Sequence, residues 1–431
     1  MALPIACAIA VPQFNFIINN IFLSGLGEEK LATAAITGVY YLIFAVAGMG
    51  LNNGLQTLIA RRAGEDRLDD IGVLFRNGVL IALFTALLFI LFTKFCAPWF
   101  FSLTIHSKDI LDRTLSFLNI RIWGLFFLYV YQLRNALLVG TNQTRWLVIG
   151  TLAEALINIF LDYGLIYGHF GLTALGFNGA AYASIIAEFT GLIVIFLAMK
   201  WLNLTKGFNL LSGKFYSWSH IRLIGKTSIP LVAQYMISVF TWQVFYILIE
   251  HHGSQALAIS ATVRNVFGFF GVFSWAFGAT TNSMVSNIIG QGRSGEVMYL
   301  IRKISKWSLG LSLAIFIILN VFPRLILSIY GMNEDFTIQA IPVFRVVSFA
   351  LIIMSIGTVH FNAVTGTGAT RINLLIDVIV LIAYMLYSYL ILEYFQMSIV
   401  WGWASEILYW DLILTLSYIY LQKRKGMFVR L

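Results

Sequence analysis

Long apolar stretches separated by short polar segments recur along the entire chain. About 20 apolar residues cross the roughly 30 Å hydrocarbon layer of a bilayer as a helix, which satisfies its own backbone hydrogen bonds there. Twelve such stretches begin near Leu3, Ala34, Ile71, Phe117, Trp146, Phe177, Leu223, Leu257, Ile304, Ile338, Ile372 and Ile399. The pattern predicts an all-α integral membrane protein, whose transmembrane helices we number as spans 1 to 12.

The composition supports a membrane protein and argues against a soluble enzyme. Of the 431 residues, 59% are hydrophobic and 11% are charged, whereas soluble domains contain about 25% charged residues. The two cysteines, Cys7 and Cys96, lie in apolar stretches, so no disulfide framework or cysteine metal site is predicted. The net charge of +9 is the lysine and arginine excess that orients polytopic proteins, so we expect the bilayer, and not nucleic acid, as the partner.

Lysine and arginine gather in alternate loops, as expected if the spans are real. The basic side carries Arg61, Arg62, Arg67, Arg145, Lys200, Lys206, Lys214, Arg222, Lys226, Arg293, Arg302, Lys303, Lys306, Arg371, Lys423, Arg424, Lys425 and Arg430. The opposite side carries only Lys30, Lys94, Lys108, Arg113 and Arg324 over long loops. Because basic loops face the cytoplasm, both termini are predicted to be cytoplasmic.

The two halves of the chain resemble each other at an offset of 226 residues. Pro4 coincides with Pro230, and the loop Gly140–Arg145 coincides with Gly366–Arg371 through a shared G-T-x-x-T-R pattern. A duplicated unit of six spans, an even number, enters the membrane from the same side both times. The halves are therefore predicted to be parallel repeats related by a pseudo-two-fold axis along the membrane normal, an arrangement typical of rocking transporters.

The repeat also predicts the domain organisation. We expect an N-terminal six-helix lobe over residues 1–200, a basic cytoplasmic linker over 201–222, and a C-terminal six-helix lobe over 223–431.

Span 5 carries the most informative polar residues. Glu154, Asn158 and Asp162 recur every four residues and so share one helix face. Asn158 and Asp162 together offer an amide carbonyl and a carboxylate to one cation, or a hydrogen bond to a protonated acid. Because a buried carboxylate holds either a proton or a cation, the two compete for it, which is the chemistry of an antiporter.

Two structural readings of these acidic residues stay open. Glu154 or Asp162 could pair with Arg134 of span 4 as a structural ion pair. Glu188 of span 6 could likewise pair within the first bundle. In either case the carboxylate concerned would stabilise the fold without taking part in ion coupling.

The second repeat lacks the acidic face of span 5. The duplicated positions are Val380, Tyr384 and Ser388, which do not ionise near neutral pH, so the coupling site is predicted in the first half only. Asp377 is predicted to be structural, near the cytoplasmic surface. Glu406 and Asp411 lie among tryptophans, a composition typical of an interfacial belt that tolerates charge.

Span 1 contains two prolines, Pro4 and Pro12. Proline removes a helix hydrogen bond, so span 1 is a candidate hinge that couples protonation to shape; a static bend is the alternative.

Motifs for nucleotide binding and hydrolysis fail on inspection. Gly225-Lys226-Thr227 resembles the end of a phosphate loop, but His220 stands where its first glycine belongs. The sequence Gly290–Gly295 fits GxGxxG by letters but follows a transmembrane helix, whereas the dinucleotide motif follows a strand. We therefore expect no enzymatic activity and no cofactor, and transport energy from an ion gradient.

Several ordered motifs resemble the multidrug and toxic compound extrusion family. They are Gly25–Gly27, the stretch Ala60–Gly64, the two G-T-x-x-T-R loops, and a series of small and polar residues from Asn158 to Ser184. The resemblance covers essentially the whole chain. It implies twelve helices in two six-helix lobes that form a V, and export of amphipathic, often cationic, organic compounds in exchange for protons or sodium ions.

The resemblance also implies roles for individual residues. Asn158 and Asp162 match the family's first-lobe cation or proton site, and Ser184 is the nearest match to a hydroxyl that accompanies them. The family's first helix commonly supplies an aspartate where this chain has Asn20, preceded by Asn19. No clear match exists to the second-lobe acidic cluster of the sodium-coupled branch, so proton coupling is favoured over sodium.

The sequence thus predicts a proton-coupled antiporter that exports amphipathic, cationic organic compounds by alternating access. Asp162 titrates, Asn158 orients it, and the first-lobe cavity is lined by Glu154, Glu188, Asn19, Asn20 and Ser184. We expect a monomer in the plasma membrane, specifically a bacterial inner membrane.

Four alternatives to this prediction place different demands on the sequence. A sodium-coupled exporter would use Asp162 and Asn158 for Na⁺. A lipid-linked precursor flippase of the same superfamily would favour a basic cavity, whereas the buried charges here are mostly acidic. A membrane enzyme would need a nucleophile and a base at one depth, and a channel would pass current without saturable exchange.

Overall fold

A computed structural model describes residues 1–212, 216–328 and 334–424, except the side chains of Phe16, Ser24, Glu28, Leu31 and Ala32. Within these ranges the regular structure is helical and no strand occurs. Twelve helical segments are long and apolar enough to cross a membrane, so the prediction of twelve spans is confirmed. The predicted basic-side residues Lys214, Lys425 and Arg430 lie outside the described residues.

The first six spans comprise seven helices. They are Ala2–Ser24, Glu28–Gly64, Leu68–Thr104, Lys108–Arg121 with Leu125–Gly140, Leu147–Tyr167 and Phe177–Trp201. Span 4 is the divided one, because a 3₁₀ turn, Ile122–Gly124, joins its two helices.

The last six spans begin after a short helix, Leu204–Gly207. They are Trp218–Glu250, Ser254–Gly290, Val297–Val321, Glu334–Gly366, Thr370–Tyr389, and Ile399–Trp403 with Ser405–Lys423. Span 11 continues into a π-helical turn, Leu390–Tyr394, and a further short helix, Pro323–Ser328, follows span 9.

The duplication is visible in the backbone of the turns. Three residues of the first half have positive φ where their partners 226 residues later also do. The pairs are Gly27 (φ 104°) with Gly253 (98°), Asp66 (58°) with Gly292 (78°), and Asn142 (59°) with Gly368 (88°). Glycine, asparagine and aspartate tolerate this left-handed conformation best, so the same turn geometry was kept in both halves.

The chain forms two compact units by internal contact, one over residues 3–232 and one from residue 233 onward. The division falls inside span 7, just after Pro230. The earlier part of span 7 packs on span 2 within the first unit, where a Cβ atom on Gly54 would lie 2.8 Å from Cα of Ser228. The predicted lobe limits at residues 200 and 223 stay a prediction.

Small residues bring spans 5 and 6 close together in the first unit. Gly179, Ala183, Ala187 and Gly191 of span 6 are all buried and recur every four residues. A Cβ atom on Gly179 would lie 2.5 Å from the carbonyl oxygen of Leu165. Such stripes let transmembrane helices pack at short range, and this contact fixes the rotation of span 5 and hence of its polar face.

Candidate functional site

Asp162 and Asn158 lie buried on span 5, with side chains 0% and 3% exposed. Both carboxylate oxygens of Asp162 lack a hydrogen-bond partner among the described residues, and so does Nδ2 of Asn158. Most buried polar groups in proteins are paired, and a buried charge without a partner is strongly disfavoured. This carboxylate is therefore suited to hold a proton or a cation.

Span 1 supplies the contact that completes this group. Nδ2 of Asn15 donates to Oδ1 of Asn158 at 2.6 Å. Oδ1 of Asn15 and Oδ1 of Asn19, one helical turn further on, are buried without a partner among the described atoms. The amide oxygen of Asn158 already accepts this hydrogen bond. The unpaired N–H groups of Asn158 therefore remain available to donate to a ligand or to the carboxylate.

Sequence reasoning missed Asn15. The four-residue spacing of Asn15 and Asn19 within an apolar span is the same signal that singled out span 5, and it would have found both. Of the two predicted residues in span 1, Asn19 has the unpaired buried oxygen. Asn20 is half-buried, and the described part of the chain contains no hydrogen bond from its side chain.

Glu188 is engaged in a buried ion pair. Nη2 of Arg121 lies 2.5 Å from Oε1 of Glu188 and Nη1 lies 3.1 Å from Oε2. The guanidinium of Arg121 also lies over the ring of Tyr41, with 3.9 Å between its central carbon and the ring centroid. This bidentate geometry supports the structural reading of Glu188, because the carboxylate already has its cation.

Arg134 does not pair with the acidic residues of span 5. No ion pair within 4 Å joins it to Glu154 or Asp162 in the described structure. Its guanidinium lies 3.7 Å from the centroid of the Tyr131 ring and donates to Oδ1 of Asn135. The structural ion pair that was the alternative reading of Asp162 is thus not seen.

Glu154 lies half-buried on the same face of span 5, between these charged groups. Its stem packs against span 6, where a Cβ atom on Gly191 would lie 3.0 Å from Cβ of Glu154. Glu188, Arg134 and Arg121 are all near enough to act on it electrostatically. Glu154 is therefore placed beside the ion pair, and its predicted part in lining the cavity stays a prediction.

Ser184 and the two prolines complete the predicted set. Ser184 is half-buried on span 6, and no hydrogen bond of its hydroxyl occurs within the described ranges. The span 1 helix runs through both Pro4 and Pro12. Pro4 lies in the first turn, where a missing N–H costs little, whereas Pro12 removes an interior hydrogen bond. Of the two hinge candidates, only Pro12 therefore weakens the helix interior.

The second unit contains two buried carboxylates that differ from Asp162 in having donors. Asp377 is 0% exposed and accepts hydrogen bonds at 2.8 Å from Ser238 and from Tyr409. Glu406 accepts hydrogen bonds at 3.3 Å from Nε1 of Trp242 and from the hydroxyl of Tyr384. Each carboxylate is held by two neutral donors.

Asp411, in the same tryptophan-rich stretch, is exposed, but for Glu406 the prediction of an interfacial belt is wrong. Its side chain is buried, at 5% exposure, and lies within the second unit. The tryptophans that suggested a belt include Trp403, which is 0% exposed and donates to Oγ of Ser260 at 2.9 Å. Tryptophan carries a polar N–H on a large apolar ring, so it serves a buried network as well as a membrane interface.

The described part of the chain has twelve apolar helices of membrane-spanning length, an internal repeat, and buried polar side chains on those helices. Together these features are typical of a polytopic membrane transporter. The MatE sequence profile matches the chain twice, over residues 4–164 and 230–390. These two matches begin 226 residues apart, the offset of the internal repeat. The chain belongs to the MatE family.

Similar proteins agree with this membership. A probable multidrug resistance protein NorM from Synechocystis is 28% identical over 205 residues, 47% of this chain and 43% of that protein. A probable multidrug resistance protein NorM from Thermotoga maritima is 24% identical over 423 residues, 92% of this chain and 90% of that protein.

Solved structures share the fold. A MOP superfamily transporter from Pyrococcus furiosus, described as having a binding pocket of reverse polarity, matches with a TM-score of 0.90 at 15% identity, covering 99% of this chain and 95% of its own. A MATE protein in the straight conformation matches with a TM-score of 0.88 at 16% identity over the same shares.

Proposed function

We propose that this chain is a secondary antiporter that exports amphipathic, cationic organic compounds in exchange for protons. The observation that carries the proposal is Asp162, a carboxylate buried on a membrane-spanning helix with no hydrogen-bond donor or counter-ion in the described structure. The names of the similar NorM proteins, which describe multidrug resistance, support the substrate class. No cofactor enters this mechanism, because the coupling ion alone supplies the energy.

The exchange follows from competition for one negative charge. A carboxylate in an apolar setting is stable when a proton or a cation neutralises it. Entry of a positive compound from the cytoplasmic side displaces the proton, and entry of a proton from the other side displaces the compound. Alternation between inward-open and outward-open states couples the two events, because each ligand stabilises the state to which it binds better.

Asn15, Asn19 and Asn158 set the polarity around the carboxylate. The Asn15–Asn158 hydrogen bond fixes the orientation of the Asn158 amide. The Asn158 N–H groups then stabilise the ionised carboxylate while the proton is away. Glu154 and Ser184, on neighbouring faces of spans 5 and 6, line the polar route to this group.

Sodium coupling is the second candidate, and one observation favours it. The two oxygens of Asp162 and the amide oxygens of Asn15 and Asn19 are four buried oxygens without partners among the described residues. Oxygen-rich groups of this kind suit hard cations. We propose the proton because one carboxylate suffices to carry it, and because Asp377 and Glu406 already have donors.

Orientation, assembly and location belong to the same proposal. The alternation of basic loops supports cytoplasmic termini. We propose a monomer in a bacterial plasma membrane, and the bacterial origin of the similar NorM proteins supports that location.

Drug-driven proton flux in proteoliposomes tests the proposal. We expect Asp162→Asn to reduce the flux at least tenfold, towards that of empty liposomes, while the matched control Asp377→Asn keeps it. Both variants remove one buried carboxylate, so a common folding defect would appear in both thermal melts. Flux at the normal rate in Asp162→Asn would show that this carboxylate does not couple transport. Exchange that depends on a sodium gradient alone would replace the proton by sodium.

A further inference from the structure

A groove of about 260 Å³ runs between spans 8 and 9 in the second unit. Its walls are apolar, with Phe277, Met284 and Ile288 from span 8 and Ile304 from span 9. All of its lining residues come from these two spans and the turn that joins them. The groove lies at the end of the spans where basic residues are concentrated, the predicted cytoplasmic side.

The length of the groove is close to the thickness of one membrane leaflet. From Phe277 to Ile288 the helix advances about 16 Å at 1.5 Å per residue. Half of a bilayer's hydrocarbon layer is about 15 Å thick. The groove is therefore long enough for a single acyl chain to lie along it.

The span 9 wall of the groove carries polar and aromatic side chains that match the surroundings of a lipid headgroup. Tyr299, Lys303 and Trp307 recur every four residues on span 9 and all line the groove. Tyr299, near the start of span 9, is 68% exposed, and exposed aromatics of this kind concentrate at headgroup depth. Trp307, 70% exposed, lies about 12 Å further along the helix, where it lines the apolar part of the groove. Lys303 is exposed beside them and can extend its ammonium to a phosphate. Glu296 also lines the groove, but its carboxylate pairs with Arg293 at 2.6 Å, which offsets its charge.

The equivalent surface of the first unit is covered by the chain itself. Asn77 stands 226 residues before Lys303, is fully buried, and accepts a hydrogen bond at 2.9 Å from the backbone N–H of Ser217. Arg76, equivalent to Arg302, donates to the carbonyl of Asn209. The first half has no lysine, tyrosine or tryptophan at the positions equivalent to Tyr299, Lys303 and Trp307. These three side chains of span 9 therefore do not belong to the packing that the two repeats share.

We propose that this groove binds an anionic phospholipid of the cytoplasmic leaflet. One acyl chain lies between spans 8 and 9, and the phosphate lies against Lys303, with the exposed Arg302 and Lys306 nearby. Charge complementarity selects an anionic headgroup over a zwitterionic one, since each nearby basic residue attracts anionic lipid. The site is separate from Asp162 and does not depend on the proposed exchange mechanism.

Native mass spectrometry of the purified full chain tests the proposal. The probes are phosphatidylglycerol and phosphatidylcholine with identical acyl chains. We expect the wild type to retain phosphatidylglycerol preferentially, and Lys303→Gln to weaken that retention about fivefold without changing phosphatidylcholine. Lys226→Gln, which removes another exposed basic residue outside the groove, is the control. Met284→Trp fills the acyl slot and should reduce retention of both lipids.

Quenching of tryptophan fluorescence by dibrominated phosphatidylglycerol in vesicles locates the lipid. Trp307→Phe should remove a larger share of the quenching than Trp201→Phe, which changes another exposed tryptophan. Equal retention of the two lipids by the wild type, or equal effects of Lys303→Gln and Lys226→Gln, would overturn the proposal. Loss of the phosphatidylglycerol preference on removal of residues 425–431 would also overturn it, because the basic tail, and not the groove, would then bind the headgroup.

Discussion

The contact between Asn15 and Asn158 gives the sharpest test of how the site is built. Asn15→Ala removes the donor at 2.6 Å and leaves Oδ1 of a 3% exposed amide without a partner. An unsatisfied buried acceptor costs about 1–3 kcal/mol, whereas hydrogen bonds between transmembrane helices contribute about 0.6 kcal/mol on average and up to about 1.7. We expect the Asn15–Asn158 coupling energy at the upper end of the membrane range, because the accepting amide of Asn158 is buried.

A double-mutant cycle of Asn15→Ala and Asn158→Ala measures this coupling from the free energy of unfolding in mixed micelles. The matched control is Asn19→Ala, one turn along the same helix, which has no hydrogen bond to Asn158 among the described contacts. We expect a coupling of about 1–1.7 kcal/mol for Asn15 and none for Asn19. Substrate exchange should fall in Asn15→Ala as the amide loses its fixed orientation. Equal coupling for both asparagines would refute the reasoning.

Three further predictions concern packing, charge and span 1. Gly179→Ala places a Cβ atom 2.5 Å from the backbone carbonyl oxygen of Leu165 and should lower the unfolding free energy by about 1–3 kcal/mol. Gly310→Ala, with no atom within 4 Å, should leave the thermal midpoint unchanged. Glu188→Gln leaves the Arg121 charge without a partner and should lower the unfolding free energy by about 3–5 kcal/mol in denaturant titrations. A double variant with apolar residues at both positions should recover most of this stability. A loss below about 1 kcal/mol in Glu188→Gln would contradict the buried ion pair. Pro12→Ala restores a helix hydrogen bond and should raise the unfolding free energy. If span 1 bends at Pro12 during transport, the same variant should exchange substrate more slowly in proteoliposomes. Faster or unchanged exchange would show that Pro12 makes a static bend.

Much of the fold was accessible from the sequence because hydrocarbon imposes simple rules. Length and hydropathy predicted twelve spans, since a backbone in lipid must bond to itself. The repeat was found from two prolines and a shared loop, and the positive φ values at Asn142 and Gly368 show that both copies of this loop make the same turn. Asp162 was found from helical spacing alone, because polar residues every four positions must share a face.

The partners of these residues could not be read from one sequence. Spacing places Asn158 on a face of span 5 but does not say that Asn15 of span 1 packs against it. Likewise Glu188 pairs with Arg121 because span 6 packs against span 4, and hydropathy does not predict which spans pack together. Glu406 was misplaced because tryptophan occurs both at interfaces and in buried networks, and its neighbour Trp403 belongs to the second kind.

Protons released on substrate binding test the central claim most directly. Purified chain in a weakly buffered detergent solution is titrated with a cationic dye, and the released protons are measured with a pH indicator. The account predicts about one proton released per bound dye for the wild type and none for Asp162→Asn. Binding of the dye without proton release, or the same release from the variant, would contradict it.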